Sequence, residues 1–111
     1  MSAPTTLPVT TDATFTRDVA PGTGLVAVEF SADWCPPCRV FGPIVAEAAR
    51  RYAGALAVFE FDTDANPATM VRLGVRSLPT LVVFRDGVEV DRIVGAVPAA
   101  RLAERLDALV G

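Results

Sequence analysis

The chain has 111 residues, 51% of them apolar, which suffices for one domain with a single hydrophobic core and is too short for several domains. Charged residues make up 21% of the chain and the formal net charge is −3, so the chain lacks the basic surface that nucleic-acid-binding proteins present to phosphates. There is no His and all ten basic residues are Arg, which excludes imidazole triads, imidazole metal sites and lysine Schiff bases.

The N-terminal segment comes before the first predicted regular element. Residues 1–10 are rich in Thr and Pro and are expected to form a weakly ordered extension, whereas residues 11–111 form the domain. Thr11 is a suitable N-cap for a short helix that Pro21 would end. The sequence shows neither a signal peptide nor a run of roughly 18 to 20 apolar residues that could span a bilayer. We therefore expect a cytoplasmic protein.

An apolar strand and an amphipathic helix follow. Leu25–Phe30 is almost wholly apolar, as in a strand covered on both faces, and Glu29 is its one exception. Between Cys35 and Tyr52 apolar residues recur at helical spacing, with Arg and Glu on the other faces. Pro37 falls in the first turn of this helix, where a missing N–H costs little. The cysteine-containing segment is therefore predicted to open the long helix.

The rest of the chain alternates strands and helices. A strand, a short helix, two strands and a last helix are predicted at Leu56–Asp62, Pro67–Leu73, Thr80–Arg85, Val88–Val94 and from Pro98 onward. Asp86-Gly87 is typical of a tight hairpin turn between the last two strands. Strands joined through helices favour parallel pairing and the hairpin adds an antiparallel pair. We therefore expect an α/β sandwich of three layers, with a central mixed sheet flanked by helices.

Cys35 and Cys38, the only cysteines, lie three residues apart at the start of the long helix. One helical turn brings two side chains within the separation that a disulfide accepts. The free N–H groups and positive dipole of a helix N-terminus favour a thiolate over a thiol. We expect Cys35, as the more exposed of the two, to be the nucleophile. Cys38 would be the resolving thiol, which attacks the mixed disulfide and releases the partner.

Three other interpretations of the cysteine pair remain open at this point. A zinc site would need two further ligands, and the chain could supply only carboxylates. A structural disulfide would close a very short loop, which contributes little stability and is uncommon in the cytosol. An inert, buried pair of thiols is the third interpretation. Redox exchange is favoured because the spacing and the position on the helix both suit it.

Several segments in register resemble the thioredoxin family. They cover the chain from about Thr11 to Val110 and are Val28-Glu29-Phe30, Ala32-Asp33-Trp34-Cys35-Pro36-Pro37-Cys38-Arg39, Pro43, Asp62-Thr63-Asp64-Ala65-Asn66-Pro67, Arg76-Ser77-Leu78-Pro79-Thr80 and Val94-Gly95-Ala96. The resemblance implies the thioredoxin-like fold and a protein-disulfide reductase with no bound cofactor. Its redox-active Cys35–Cys38 disulfide would be reduced by NADPH through thioredoxin reductase, and its partners would be disulfide-containing client proteins. We expect a monomer with no metal site and no nucleic-acid or membrane partner.

The resemblance also implies roles for residues around the cysteines. Pro79 resembles the cis-proline that faces the pair, with the backbone of Leu78 available to an extended substrate. Trp34 resembles the aromatic flank of the reactive surface. Gly95, followed by Ala96, would let the backbone of a partner approach closely. The alternatives are a Trp packed in the core, a loop proline that starts a strand and a glycine that ends one.

Four positions depart from the usual pattern of the family, and one of them is Ser31, where a second Trp is usual. Pro36 stands where Gly is usual, and it removes an N–H close to the thiolate. Glu29 stands where a buried Asp is usual; burial would raise its pKa and make it a candidate proton acceptor for Cys38, unless it reaches solvent at the strand end. Glu60 stands where a lysine is usual. If the two Glu side chains are neighbours they would be coupled, and a Glu60 that points into water is the alternative.

The expected function is the reduction of disulfides in client proteins, in support of cytoplasmic redox homeostasis. A thiol oxidase or isomerase of the same fold, tuned by Pro36-Pro37, is one alternative, and a reduction potential separates the two. A non-redox binding module or holdase, in which an apolar face captures partners, is an alternative of another class. Iron–sulfur ligation shared between two chains is a further hypothesis.

Overall fold

In the part of the chain that the structure describes, four helices and four strands follow one another in the predicted order. The computed structural model describes residues 7–111. Its elements are α1 (Phe15–Asp18), β1 (Leu25–Ser31), α2 (Pro36–Arg51), β2 (Ala57–Asp62), α3 (Pro67–Arg72), β3 (Thr80–Arg85), β4 (Val88–Val94) and α4 (Ala99–Val110). The first helix begins later than predicted, with Thr14 as its N-cap, and the Thr11 carbonyl accepts the N–H groups of Thr14 and Phe15 in the turn that precedes α1. Within residues 7–111, no helix is both long enough and apolar enough to cross a membrane.

The sheet is mixed, with the strand order β2-β1-β3-β4. β1 and β2 are parallel, whereas β3 is antiparallel to both β1 and β4. The prediction that strands joined through a helix run parallel is therefore confirmed for β1 and β2. It is wrong for β3, which follows β2 through α3. The six residues of α3 rise roughly 9 Å, less than half of the roughly 20 Å that the six residues of β2 span. So short a helix does not return the chain to the end of the sheet where β2 began, and β3 runs in the opposite direction.

Side chains of β1 alternate between two apolar layers, which confirms the three-layer sandwich. Leu25 and Ala27 belong to the cluster that packs under α2 and α4. Val26, Val28 and Phe30 belong to the cluster on the other face, with side chains from α1 and α3 partly covering it. By the same alternation, Glu29 faces the layer of α2 and α4.

The hairpin between β3 and β4 has the predicted two-residue turn. Asp86 and Gly87 have φ angles of 51° and 85°, the left-handed region that such turns require at both central positions. Gly87 is also needed for space, because a Cβ there would lie 3.1 Å from the Val19 carbonyl oxygen. A larger residue at position 87 would therefore strain the turn in two ways.

The segment before α1 lies against the edge of the sheet. The backbone N–H of Glu60 donates to the Pro8 carbonyl at 2.8 Å, and the N–H of Thr10 donates to the Glu60 carbonyl at 3.0 Å. Leu7 and Thr10 are buried. Residues 7–10 thus contact the domain, although the sequence places them in a weakly ordered extension; residues 1–6 of that extension lie outside the described residues. The boundary between residues 10 and 11 stays a prediction.

Candidate active site

The two cysteines lie where β1 passes into α2. Cys35 is the N-cap of α2, with an extended backbone (φ −93°, ψ 105°), and Pro36 and Pro37 are the first two residues of the helix. Cys38 follows them, one turn from Cys35. The two cysteines form a disulfide with a Cα–Cα distance of 5.3 Å, as the spacing predicts. The pair therefore sits at the carboxyl end of a central strand and the N-terminus of a 16-residue helix.

The Cys35 sulfur receives a backbone hydrogen bond. The Cys38 N–H donates to Cys35 Sγ at 3.3 Å and also to the Cys35 carbonyl at 3.1 Å. The two residues between the cysteines are prolines and have no N–H. The sulfur thus meets the positive end of α2 through one donor. A hydrogen bond from a helix N-terminus stabilises a thiolate, the nucleophilic form of cysteine.

Both cysteines are buried in the disulfide form. Cys35 is 3% exposed and Cys38 is 6% exposed, so the expectation that Cys35 is the more exposed residue is wrong. Leu78, from the loop before β3, packs against the cluster that contains both cysteines and Ala32 and contributes to their burial. Of the two cysteines, however, Cys35 is the one that lines the neighbouring groove.

A groove of about 430 Å³ opens beside Cys35, and we call it the active-site groove. Its lining residues are Trp34, Cys35, Pro36, Pro37, Thr63, Asp64, Met70, Arg76, Ser77 and Leu78. Trp34 is 65% exposed, which excludes a core position for it. Its Nε1–H donates to Asp64 Oδ1 at 3.2 Å and so holds the indole at the rim. The structure therefore brings Trp34 and Leu78 together with Cys35.

Five residues of the groove have no role in the sequence predictions: Thr63, Asp64, Met70, Arg76 and Ser77. Thr63 and Asp64 follow β2, whose carboxyl end lies next to that of the parallel β1. That proximity was a usable signal, because neighbouring parallel strands end at the same edge of a sheet. Met70 and Arg76 come from α3 and from the loop before β3. Only the tertiary fold brings these two to Cys35.

The loop before β3 contains a cis peptide bond between Leu78 and Pro79. The Thr80 hydroxyl donates to the Ser77 carbonyl at 2.7 Å, and the Gly95 N–H donates to the Pro79 carbonyl at 2.8 Å. Gly95 has a φ of 91° and open space where a Cβ would be. It lies beside the cis bond.

Two of the expected substrate-binding residues stand apart from the groove. Gly95 and Ala96 are not among its lining residues, although Ala96 is exposed next to Gly95. The described surface thus has two parts, the active-site groove with Trp34 and Leu78, and the segment that contains Gly95 and Ala96.

Glu29 is a buried acid on the α2 side of the sheet. Its side chain is 3% exposed and its Cα is paired with that of Glu60 across the parallel strands. Burial raises the pKa of Glu29 to about 7, with a further contribution from the negative charge of Glu60. Glu60 is exposed, in agreement with the alternative that it points into water. The two carboxylates are therefore neighbours in very different surroundings.

Metal ligands are not gathered at the site. Within residues 7–111, no group of three or more His, Cys, Asp or Glu side chains could hold a metal ion. The chemistry available around α2 is that of two cysteines, a buried carboxylate and a backbone N–H.

Comparison with known proteins gives matches over nearly the whole chain. The thioredoxin family model matches residues 6–108. Thioredoxin 1 of Synechococcus elongatus is 46% identical over 97 residues, which make up 87% of this chain and 91% of that relative. The thioredoxin of a Synechocystis species is 44% identical over 100 residues, 90% of this chain and 94% of that protein. The thioredoxin of Staphylococcus aureus is 44% identical over 97 residues, 87% of this chain and 91% of its own length.

Proposed function

Because the chain belongs to the thioredoxin family and is a protein-disulfide reductase that works by dithiol–disulfide exchange, we propose that Cys35 and Cys38 perform the two steps of that exchange in turn. In the first step the Cys35 thiolate attacks a client disulfide, forms a bond to one client sulfur and displaces the other as a thiolate. In the second step Cys38 attacks Cys35 Sγ and displaces the remaining client sulfur. Two electrons pass to the client, and the Cys35–Cys38 disulfide is formed.

The observation that carries this assignment is the hydrogen bond from the Cys38 N–H to Cys35 Sγ at the N-terminus of α2. In the reduced protein the same donor would stabilise a thiolate on Cys35 and not on Cys38. Cys35 also lines the active-site groove, where a client disulfide can reach it. Both points favour Cys35 as the nucleophile and Cys38 as the resolving thiol.

Glu29 is the proton acceptor for Cys38 in this proposal. The second step needs Cys38 as a thiolate, so a base must take its proton. Glu29 lies on the face of the sheet that α2 covers, and its pKa of about 7 suits proton transfer near neutral pH. The proton can then pass from Glu29 to the departing client thiolate, directly or through water, which restores the carboxylate.

Client proteins would bind across the groove and the cis-proline loop. Leu78 packs against the cysteine cluster, and its backbone would pair with an extended client segment. Trp34 offers an exposed apolar surface on one side. Gly95 and Ala96 would let the client backbone approach next to Pro79, since no side chain stands at position 95.

Members of the family are reduced by thioredoxin reductase and hold no prosthetic cofactor, so the Cys35–Cys38 disulfide is the redox centre. For this chain we propose a reductase that takes its electrons from NADPH, client proteins with accessible disulfides, and a monomer in the cytoplasm that supports redox homeostasis. Residues 11–111 would be the functional domain.

Two serine substitutions test the assignment of the cysteines. With NADPH, thioredoxin reductase and insulin, Cys35→Ser should lose all turnover because no nucleophile remains. Cys38→Ser should also lose turnover, but it should accumulate a mixed disulfide with insulin that mass spectrometry detects. Comparable insulin reduction by both variants, or a mixed disulfide formed by Cys35→Ser instead, would contradict the proposal.

A further inference from the structure

Glu60 is held opposite Glu29 by backbone contacts on both sides of β2. The two Cα atoms are partners in the parallel pairing of β1 and β2. On the opposite edge of β2, the backbone of Glu60 forms hydrogen bonds with the backbones of Pro8 and Thr10. The β2 backbone at this position thus has a neighbour on each edge, and Glu60 cannot move away from Glu29 without breaking one of the two pairings.

The Glu29 and Glu60 side chains lie on the same face of the sheet. Val58 belongs to the cluster under α2 and α4, and two residues further along β2 Glu60 has the same orientation. Glu29 shares that orientation on β1. Directly paired residues on one face of neighbouring strands are close enough to interact, and like charges there repel each other.

Among residues 7–111, no positively charged side chain contributes to the pKa of Glu29 or offsets this repulsion. On β3 the partner of Glu29 is Leu81, which is apolar. The buried side of α2 contributes Cys38 near its start and Tyr52 just beyond its end as titratable groups. Apart from burial, Glu60 is the one group in the described part of the chain that contributes to the raised pKa of Glu29.

The basic side chains of α2 and α4 are engaged elsewhere, Arg50 with Glu47 and Arg101 with Glu104 among them. The guanidinium of Arg105 on α4 is paired with Asp91 on β4. The Arg39 side chain on α2 is exposed and donates to the Asp33 carbonyl at 2.9 Å. Arg51, at the far end of α2, is paired with Asp107.

We propose that Glu60 is a positioning residue for the second step of the exchange: its negative charge, paired across the strands with Glu29 on the same face of the sheet, shifts the pH range in which Glu29 can take the proton of Cys38. This inference rests on the proposed role of Glu29. When Glu29 is a carboxylate it takes the proton of Cys38, the Cys38 thiolate displaces the client sulfur from Cys35, and the client leaves as a thiolate. At lower pH Glu29 already holds a proton, so the step slows.

The test follows the second step alone. The mixed disulfide of Cys35 with thionitrobenzoate is formed at acid pH and jumped to a series of pH values, and the release of thionitrobenzoate by Cys38 is followed by its absorbance. Glu60→Gln should move the acid limb of the rate profile to lower pH by about one unit, because a like charge at cross-strand distance is removed. Glu60→Lys should move it further in the same direction. An unmoved limb in both variants would overturn the proposal.

A control variant and a double variant separate the proposed role of Glu60 from the proposed role of Glu29. Glu104→Gln removes the same charge from an exposed position on α4 and should leave the limb in place. Glu29→Gln should abolish the limb, and adding Glu60→Gln to it should change nothing further. If Glu29→Gln keeps the limb, the proposed role of Glu29 fails. If it abolishes the limb while Glu60→Gln alone does not move it, only the role of Glu60 fails.

The oxidised protein offers a second readout, because its cysteines do not titrate. A carboxyl whose pKa is higher in the folded state than in the unfolded chain lowers the free energy of unfolding as pH rises between the two values. For Glu29 this interval runs from its ordinary value of 4.5 to about 7. Glu60→Gln should shrink this loss of stability and Glu104→Gln should not; an equal loss in wild type and Glu60→Gln would overturn the proposal.

Discussion

At Cys35, the chemistry depends on which backbone N–H groups reach one sulfur atom. An N-cap side chain accepts from the second or third residue of its helix. In α2 these are Pro37, which has no N–H, and Cys38, which donates to Cys35 Sγ. The proline at the second position therefore halves the number of donors that could stabilise a thiolate.

Replacing Pro37 should change the acidity of Cys35. Pro37→Ala restores an N–H at the second helical position, and we expect it to lower the pKa of the Cys35 thiol in the reduced protein by about one unit, the size of a hydrogen bond to a charged group. The ultraviolet absorbance of the thiolate measures this as a function of pH. Pro36→Ala is the matched control, since an N–H at the first position is not directed at the N-cap side chain. Equal shifts in the two variants would contradict the explanation.

The sequence predicts the positions of the cysteines better than their surroundings. Spacing and helix position lead to the disulfide and to Cys35 as the N-cap. The exposure of the two cysteines does not follow from their spacing or their position on the helix. Leu78, which packs against the pair, is forty residues away from Cys38 in the chain. The raised pKa of Glu29 could be expected from one charged residue in an apolar strand, and its partner Glu60 only from the strand register.

Among the elements, α3 is held in place by a residue from far along the chain. Its own N-cap, Asn66, makes no side-chain capping hydrogen bond. Instead, the Asp12 carboxylate accepts the N–H groups of Ala68 at 3.1 Å and Thr69 at 2.8 Å. The hydrogen bonds of Thr69 and Ala68 lower the pKa of Asp12 in spite of partial desolvation, which on its own would raise it. Asp12 thus caps the helix from which Met70 reaches the active-site groove.

Loss of this cap should destabilise the domain. We expect Asp12→Ala to lower the free energy of unfolding by about 1 kcal/mol, the usual contribution of an N-cap side chain. Asp12→Asn keeps one acceptor oxygen and should lose less. Urea unfolding at neutral pH measures both, and an unchanged stability in Asp12→Ala would show that the cap contributes nothing.

Local patterns determine most element boundaries, and long-range contacts explain the exceptions. The hairpin strands β3 and β4 have the bounds that the sequence predicts, because Asp86-Gly87 specifies the turn by itself. No local motif predicts the cap of α3, since Asp12 is 56 residues from Ala68 in the chain. The same holds for the contact of residues 7–10 with β2.

At the scale of the whole molecule, the order of strands brings the site together. The carboxyl ends of the parallel β1 and β2 supply the cysteine loop and Asp64, and the antiparallel β3 begins at that same edge with the cis Leu78–Pro79 bond before it. Periodicity predicts the strands without their order, so the antiparallel direction of β3 could not be read from the chain. A parallel β3 would start at the opposite edge, far from Cys35.

The reduction potential of the Cys35–Cys38 pair tests the central claim, a dithiol that gives electrons to client disulfides, most directly. The protein is equilibrated in buffers of known dithiothreitol redox ratio, and alkylation followed by mass spectrometry gives the oxidised fraction. We expect a potential of about −270 mV, which is characteristic of thioredoxins as a class. A potential near about −120 mV, typical of a strong thiol oxidant, would contradict a reductase and favour the oxidase alternative.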